Sequence, residues 1–229
     1  MTLEVTYLSH SAFQFVTQDA QILIDPFFSG NPKFQGNIGD FKPTEIFVTH
    51  GHADHLGDAI NLSKRTGAPI IAIFELANYC ASKGANVNPV GIGAKLSFDW
   101  GYATFLPAAH SSSTPDGTYA GSAASIMFRF KDTKVYHAGD TGLSADLKMI
   151  GDFYKPEVSL LPIGGQYTLD IQEAIAAAKM LSTKQVIPMH YNTFPQINVD
   201  IESFKVHMQS ETLIKPVILK PGEKVTYKL

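Results

Sequence analysis

The chain has 229 residues, 45% of them hydrophobic and 17% charged, an ordinary globular composition with enough length for one large α/β domain. A formal net charge of -3 with no basic stripe disfavours DNA, RNA or another polyanion as a partner. The lone cysteine, Cys80, excludes an intrachain disulfide framework and suits a reducing compartment, so a cytoplasmic location is expected.

The N-terminus alternates polar and apolar residues where a signal peptide would pair a basic head with an apolar run, and it reads as a strand. No apolar stretch approaches the ~20 residues of a bilayer span. Leu3, Val5 and Tyr7 open a hairpin that returns through Phe13 to Val16. A turn over residues 17–20 leads to a buried strand, Gln21 to Ile24, ending at Asp25-Pro26. Residues 29–43, rich in Gly, Pro and Asn, predict a long loop, a class usually functional or disordered. A strand over Glu45 to Thr49 precedes a cluster of His and Asp. Then come a helix from Gly57 to Arg65, a strand from Pro69 to Phe74, and a helix from Glu75 to Lys83. Strands follow at Lys95 to Phe98 and Tyr102 to Ala108, with a polar loop over His110 to Gly121.

The second half repeats the pattern. Ala123 to Phe130, Lys134 to His137, Val158 to Leu161 and Gln185 to Met189 predict strands, while Ile171 to Leu181 and Ile201 to Ser210 predict helices. Val217 to Leu219 and Lys224 to Tyr227 predict a closing pair. No linker divides the halves, so residues 1–229 read as a single α/β domain, two sheets face to face with helices outside.

Three of only 8 histidines fall within His50-Gly51-His52-Ala53-Asp54-His55. In extended backbone, residues two apart point the same way, so His50 and His52 can face one ion together. Asp54 and His55 enter a helical turn, where adjacent side chains diverge and can serve a second ion. His110, Asp140 and His190 each follow an apolar strand, the usual placement of site residues on a rigid scaffold. A lone histidine at a strand end is more often a satisfied core residue. The cluster plus three matching strand ends instead predicts a metal site, its imidazoles and carboxylates suiting zinc or a first-row neighbour.

The series His50-x-His52-x-Asp54-His55, His110, Asp140 within Gly139-Asp140-Thr141-Gly142, and His190 resembles the metal-binding series of the metallo-β-lactamase superfamily. Asp25 in Ile22-Leu-Ile-Asp-Pro matches that superfamily's early structural aspartate. Tyr7-Leu-Ser-His-Ser-Ala-Phe, Ile24-Asp-Pro-Phe-Phe-Ser-Gly-Asn-Pro, Leu161-Pro-Ile-Gly-Gly and Pro188-Met-His-Tyr-Asn-Thr-Phe are similar to a bacterial and archaeal family of small metal-dependent hydrolases. That family is related to the ascorbate 6-phosphate lactonases, although Ser9 stands where those relatives usually carry Gly.

The resemblance implies a four-layer αββα sandwich and two divalent ions, zinc first, with manganese, nickel or iron as alternatives. His50, His52 and His110 would hold one ion, Asp54, His55 and His190 the other, with Asp140 bridging. The expected enzyme is a hydrolase in which metal-bound hydroxide attacks an ester, lactone or phosphodiester of a small anionic molecule, with Asp54 and His190 as catalytic residues. Two other functions of the fold compete. A di-iron redox protein would replace His52 with a carboxylate and add a flavin domain, and a nuclease would need a basic docking extension. Partners are expected to be a small-molecule substrate and no membrane, with a homo-oligomer left open.

Among the remaining residues, His10 is expected to bond Asp25 or simply to pack, and His137 to support a ligand or line the pocket. Cys80 reads as core, Ser111 to Ser113 as a polar loop, and Tyr167 and Tyr191 as pocket residues.

Overall fold

Alternating burial organises the first hairpin in the computed structural model, which describes residues 1–229. In β1 (Thr2–Ser9) Leu3, Val5 and Tyr7 are buried while Glu4 and Thr6 are half-buried. β2 (Ala12–Val16) and β3 (Gln21–Ile24) continue antiparallel. β4 (Glu45–Phe47), β5 (Ile70–Ile73) and β6 (Val87–Val90) then add in parallel. The C-terminal β14 (Lys224–Lys228) pairs antiparallel with β1, closing a seven-stranded sheet in the order β14-β1-β2-β3-β4-β5-β6.

The second sheet has the same make-up. β7 (Lys95–Phe98), β8 (Gly101–Pro107), β9 (Ala124–Phe130) and β10 (Thr133–His137) are antiparallel. β11 (Val158–Pro162), β12 (Gln185–Met189) and the short β13 (Lys215–Pro216) run parallel, giving the order β13-β12-β11-β10-β9-β8-β7.

The two sheets and the helices behind the second share one core of 42 buried residues. Phe128 of β9 meets Phe15 of β2 at 5.3 Å and Phe47 of β4 at 5.0 Å between ring centroids, joining the two layers. Each buried aromatic of this kind contributes roughly 1.5–3 kcal/mol of transfer free energy. Outside the first sheet, α2 (Ala59–Thr66) and α3 (Phe74–Ser82) lay Leu62, Leu76, Ala77 and Cys80 over Leu23, Ile46 and Ile70 in a second cluster of 16 residues. The second sheet is backed by α4 (Asp146–Tyr154), α5 (Ile171–Leu181) and α6 (Ile201–Glu211), through Leu147, Ile150, Ala174, Leu181 and Phe204. This is the αββα sandwich, with one-turn α1 (Ala53–Leu56) at its edge.

Three elements depart from the sequence reading. α4 and β6 were not expected, and the predicted closing pair does not exist. β13 lies at Lys215–Pro216 in the second sheet while β14 joins the first. The segment over residues 29–43 is no loose loop. Phe28 stacks on Phe34 (4.3 Å) and Phe41 (4.9 Å), and Arg65 of α2 donates to the carbonyls of Ile38 and Phe41, each at 2.9 Å.

Candidate metal centre

The C-terminal ends of β4, β8, β10 and β12 converge at one edge of the sandwich, and each delivers part of the predicted set. His50 and His52 follow β4, with His52 the residue before α1. Asp54 and His55 lie in α1, His110 follows β8, Asp140 follows β10, and His190 follows β12. All seven come together. The ligating atoms of His50, His52 and His110 lie within 4.8 Å of one another, as do those of Asp54, His55 and His190.

Asp140 stands between the two groups. Its Oδ2 is 3.2 Å from His190 Nε2, 3.6 Å from His110 Nε2 and 4.0 Å from His50 Nε2, and its Oδ1 is 3.2 Å from His55 Nε2. Gly139 makes the turn into it at φ +59, and a Cβ there would stand 2.7 Å from the Ala124 carbonyl oxygen.

Two orienting hydrogen bonds fix which ring nitrogens face inward. Asp25, fully buried, accepts from the Thr49 amide (2.8 Å) and hydroxyl (2.7 Å) and from His55 Nδ1 (2.7 Å). Its carboxylate can only accept, so His55 carries a proton on Nδ1 and turns Nε2 toward Asp140. With the Thr49 hydroxyl hydrogen committed to Asp25, the Thr49 oxygen 3.1 Å from His50 Nδ1 accepts, and His50 likewise presents Nε2. His50 Nε2 then lies 3.0 Å from His52 Nδ1, near the roughly 3.3 Å that separates two nitrogens of a tetrahedral zinc. Thr49, which the sequence reading did not single out, braces both Asp25 and His50. Its only signal is its place before His50.

Buried polar atoms test whether a cation fits. His55 Nε2, Asp140 Oδ1 and both ring nitrogens of His190 are buried with no hydrogen-bond partner. Buried polar groups are rarely orphaned, and three of these, His55 Nε2, Asp140 Oδ1 and His190 Nε2, lie around Asp140 where an ion fits. In the metal-free fold the two histidine groups differ in charge. Burial holds His50 well below its ordinary value and lowers His52 and His110, so all three are neutral donors. Burial opposes charge on His55 and His190 too, but Asp140 with Asp25 outweighs it for His55 and Asp140 with Asp54 for His190. His55 is held well above its ordinary value and His190 rises to about 9. Burial likewise opposes the Asp54 and Asp140 charges, and the surrounding histidines hold both carboxyls low.

The other expectations resolve unevenly. His10 does not bond Asp25. Its Nε2 is 3.0 Å from Asp54 Oδ2 and its Nδ1 3.0 Å from the Thr193 hydroxyl. His137 accepts at Nδ1 from the amide of Gly139 (3.1 Å), the residue before Asp140, and donates from Nε2 to the Ser11 carbonyl (3.0 Å). Ser112 is buried and accepts from the Gly51 amide (3.1 Å), which makes its loop a brace for the His50 turn. Neither Tyr167 nor Tyr191 hydrogen-bonds to the cluster. Cys80 is buried in α3, its thiol pushed up to about 12 by burial.

The model of the β-lactamase superfamily domain matches residues 20–191, from β3 to the residue after His190. The chain belongs to the β-lactamase superfamily. Within that superfamily it is 43% identical over 225 residues to a UPF0173 metal-dependent hydrolase of Desulforamulus reducens, covering 96% of this chain and 98% of the relative. A UPF0173 metal-dependent hydrolase of Staphylothermus marinus is 44% identical over 231 residues, with 97% and 98% covered. Among solved structures, Igni18, a metallo hydrolase from the archaeon Ignicoccus hospitalis, superposes with a TM-score of 0.91 at 38% identity over the whole of both chains. With family and fold in place, the enzyme class is that of the metal-dependent hydrolases.

Proposed function

We propose that the protein is a binuclear metal-dependent hydrolase acting on an ester, lactone or phosphodiester bond of a small, anionic molecule. The observation that carries this reading is the convergence of seven side chains on one edge, with Asp140 between a three-histidine group and the Asp54, His55 and His190 group. His50, His52 and His110 hold one ion in the proposal, Asp54, His55 and His190 the other, and Asp140 bridges them. Zinc leads because three neutral imidazoles suit it, while manganese, nickel and iron accept the same donors. When bound, the ions would polarise the scissile bond and lower the pKa of water toward neutrality.

The chain's own residues then orient and shield. Asp54, whose side chain is 30% exposed, is the carboxylate of the set open to solvent and would orient a water bound there. His190, at 2% exposure, closes the inner wall against bulk water. Cys80 lies in the core with a high pKa, so no thiol nucleophile takes part. A lone buried thiol also agrees with a cytoplasmic enzyme.

The test compares kcat/KM across small lactones, bis-aryl phosphodiesters and structured RNA with zinc- and manganese-loaded protein. Turnover of one of the small classes is the expected result. Activity confined to RNA and falling steeply with salt, as phosphate contacts require, overturns the small-substrate reading.

A further inference from the structure

We propose that His10, braced by Thr193, is a positioning residue that fixes the Asp54 carboxylate for the ion Asp54 would share with His55 and His190. The inference rests on the two-ion reading above and goes beyond it, since His10 belongs to none of the seven proposed ligands. Its contact with Asp54 Oδ2, at 3.0 Å, is the only hydrogen bond the Asp54 carboxylate makes within the protein. Asp54 is the most exposed carboxylate of the centre, so without that bond its rotamer would be set by solvent.

Hydrogen-bond stereochemistry gives the direction. The Asp54 carboxylate can only accept, so His10 Nε2 donates. A second proton on this fully buried ring would be a costly charge, so Nδ1 is left as an acceptor. The Thr193 hydroxyl then donates to Nδ1 at 3.0 Å, a shorter bond than its alternative to the Tyr191 carbonyl at 3.4 Å. Thr193 thus selects the tautomer of His10, and His10 orients Asp54, the arrangement by which groups behind metal ligands set ligand orientation.

The backbone is strained to place this ring. β1 is bulged between Tyr7 and Ser9, and Ser9 and His10 both have positive φ, +110° and +59°. Such strain persists where surrounding structure over-determines it and gathers at functional sites. Here the His10 carbonyl accepts from the His190 amide at 2.8 Å, and the His10 ring lies 4.0 Å from that of His190. Phe27 and Phe194 pack edge-on against it at 5.6 and 5.7 Å between ring centroids.

The test is a cobalt(II) titration of metal-free protein, following the visible absorption of each site, with circular dichroism to confirm folding. Wild-type chain is expected to take up two ions. His10→Ala should weaken the second ion about 10–100-fold, the cost usual for loss of a group behind a ligand, and leave the first unchanged. Thr193→Val should weaken it in the same direction and provides the reading if His10→Ala fails to fold. His10→Gln, whose amide can still donate to Asp54, should recover most of the affinity. Equal second-ion affinity in wild type and folded His10→Ala or Thr193→Val overturns the role of His10 alone. A His10→Gln variant no better than Ala overturns the hydrogen-bond mechanism. A wild type that takes up a single ion overturns the two-ion reading itself, before any variant is compared.

Discussion

Asp25 exposes no surface, yet three donors end on it, and through Thr49 and His55 it sets the tautomers of both groups of the centre. The candidate ligands were legible in the sequence because their chemistry lies in residue type and in the spacing of two across an extended segment. The partner of His10 was not, because a bulge at Ser9 turns the following ring away from Asp25 and toward Asp54, and backbone bulges leave no periodic signal. Ser9 carries a testable cost. At φ +110° a side chain is strained by about 1–3 kcal/mol, while its hydroxyl bond to Asn31 Oδ1 at 3.3 Å returns only about 0.5–1.5 kcal/mol. Ser9→Gly should therefore raise stability in urea unfolding by about 1 kcal/mol, whereas Ser9→Ala, which keeps the Cβ and loses the bond, should lower it. A glycine variant less stable than the alanine one would show that Ser9 is unstrained.

At the scale of elements, the strands delivering ligands were readable as apolar runs, and the sandwich followed from strands alternating with helices. The elements missed are those whose signal is weak by nature. β6 contains Pro89 and sits at a sheet edge, where proline is tolerated but the pattern is broken. α4 is short and interrupted by Gly151, which lowers helix propensity. That glycine has a packing reason, since a Cβ there would stand 2.3 Å from the Met180 carbonyl oxygen of α5. Gly151→Ala should accordingly push α4 off α5 and cost about 1–3 kcal/mol, visible as a lowered Tm. A Tm equal to or above the wild type would mean the two helices separate without cost. The closing strands were misassigned because register between sheets depends on contacts far apart in sequence: β14 completes a sheet begun by β1 at the other end of the chain.

At the scale of the molecule, volume does not mark the site. Surface hollows of about 440 and 550 Å³, both including Lys95, Tyr102 and Arg129, share no residue with the centre, which is identified by convergent polar groups instead. Those groups couple protonation to stability. His190 is raised in the metal-free fold from 6.5 to about 9, so its contribution is complete below pH 6.5 and is lost as pH rises through 9. Burial lowers His10 from 6.5 to about 4, so its contribution is present above pH 6.5 and is lost as pH falls toward 4. The Tm of metal-free protein should thus peak near neutrality and fall on both sides, while zinc-loaded protein should hold its Tm between about pH 7 and 9 because an ion replaces the His190 proton. A metal-free Tm that is flat from neutrality to about pH 9.5 would contradict the charge assignment at His190.

The proposal of a two-ion centre is tested most directly by counting metal. Elemental analysis of zinc-loaded, exhaustively dialysed protein should give about two ions per chain, with His110→Ala and His190→Ala each retaining about one and Asp140→Ala weakening both. A wild-type chain that hydrolyses substrate at full rate with one ion or fewer, or an Asp140→Ala variant that keeps two, would contradict it.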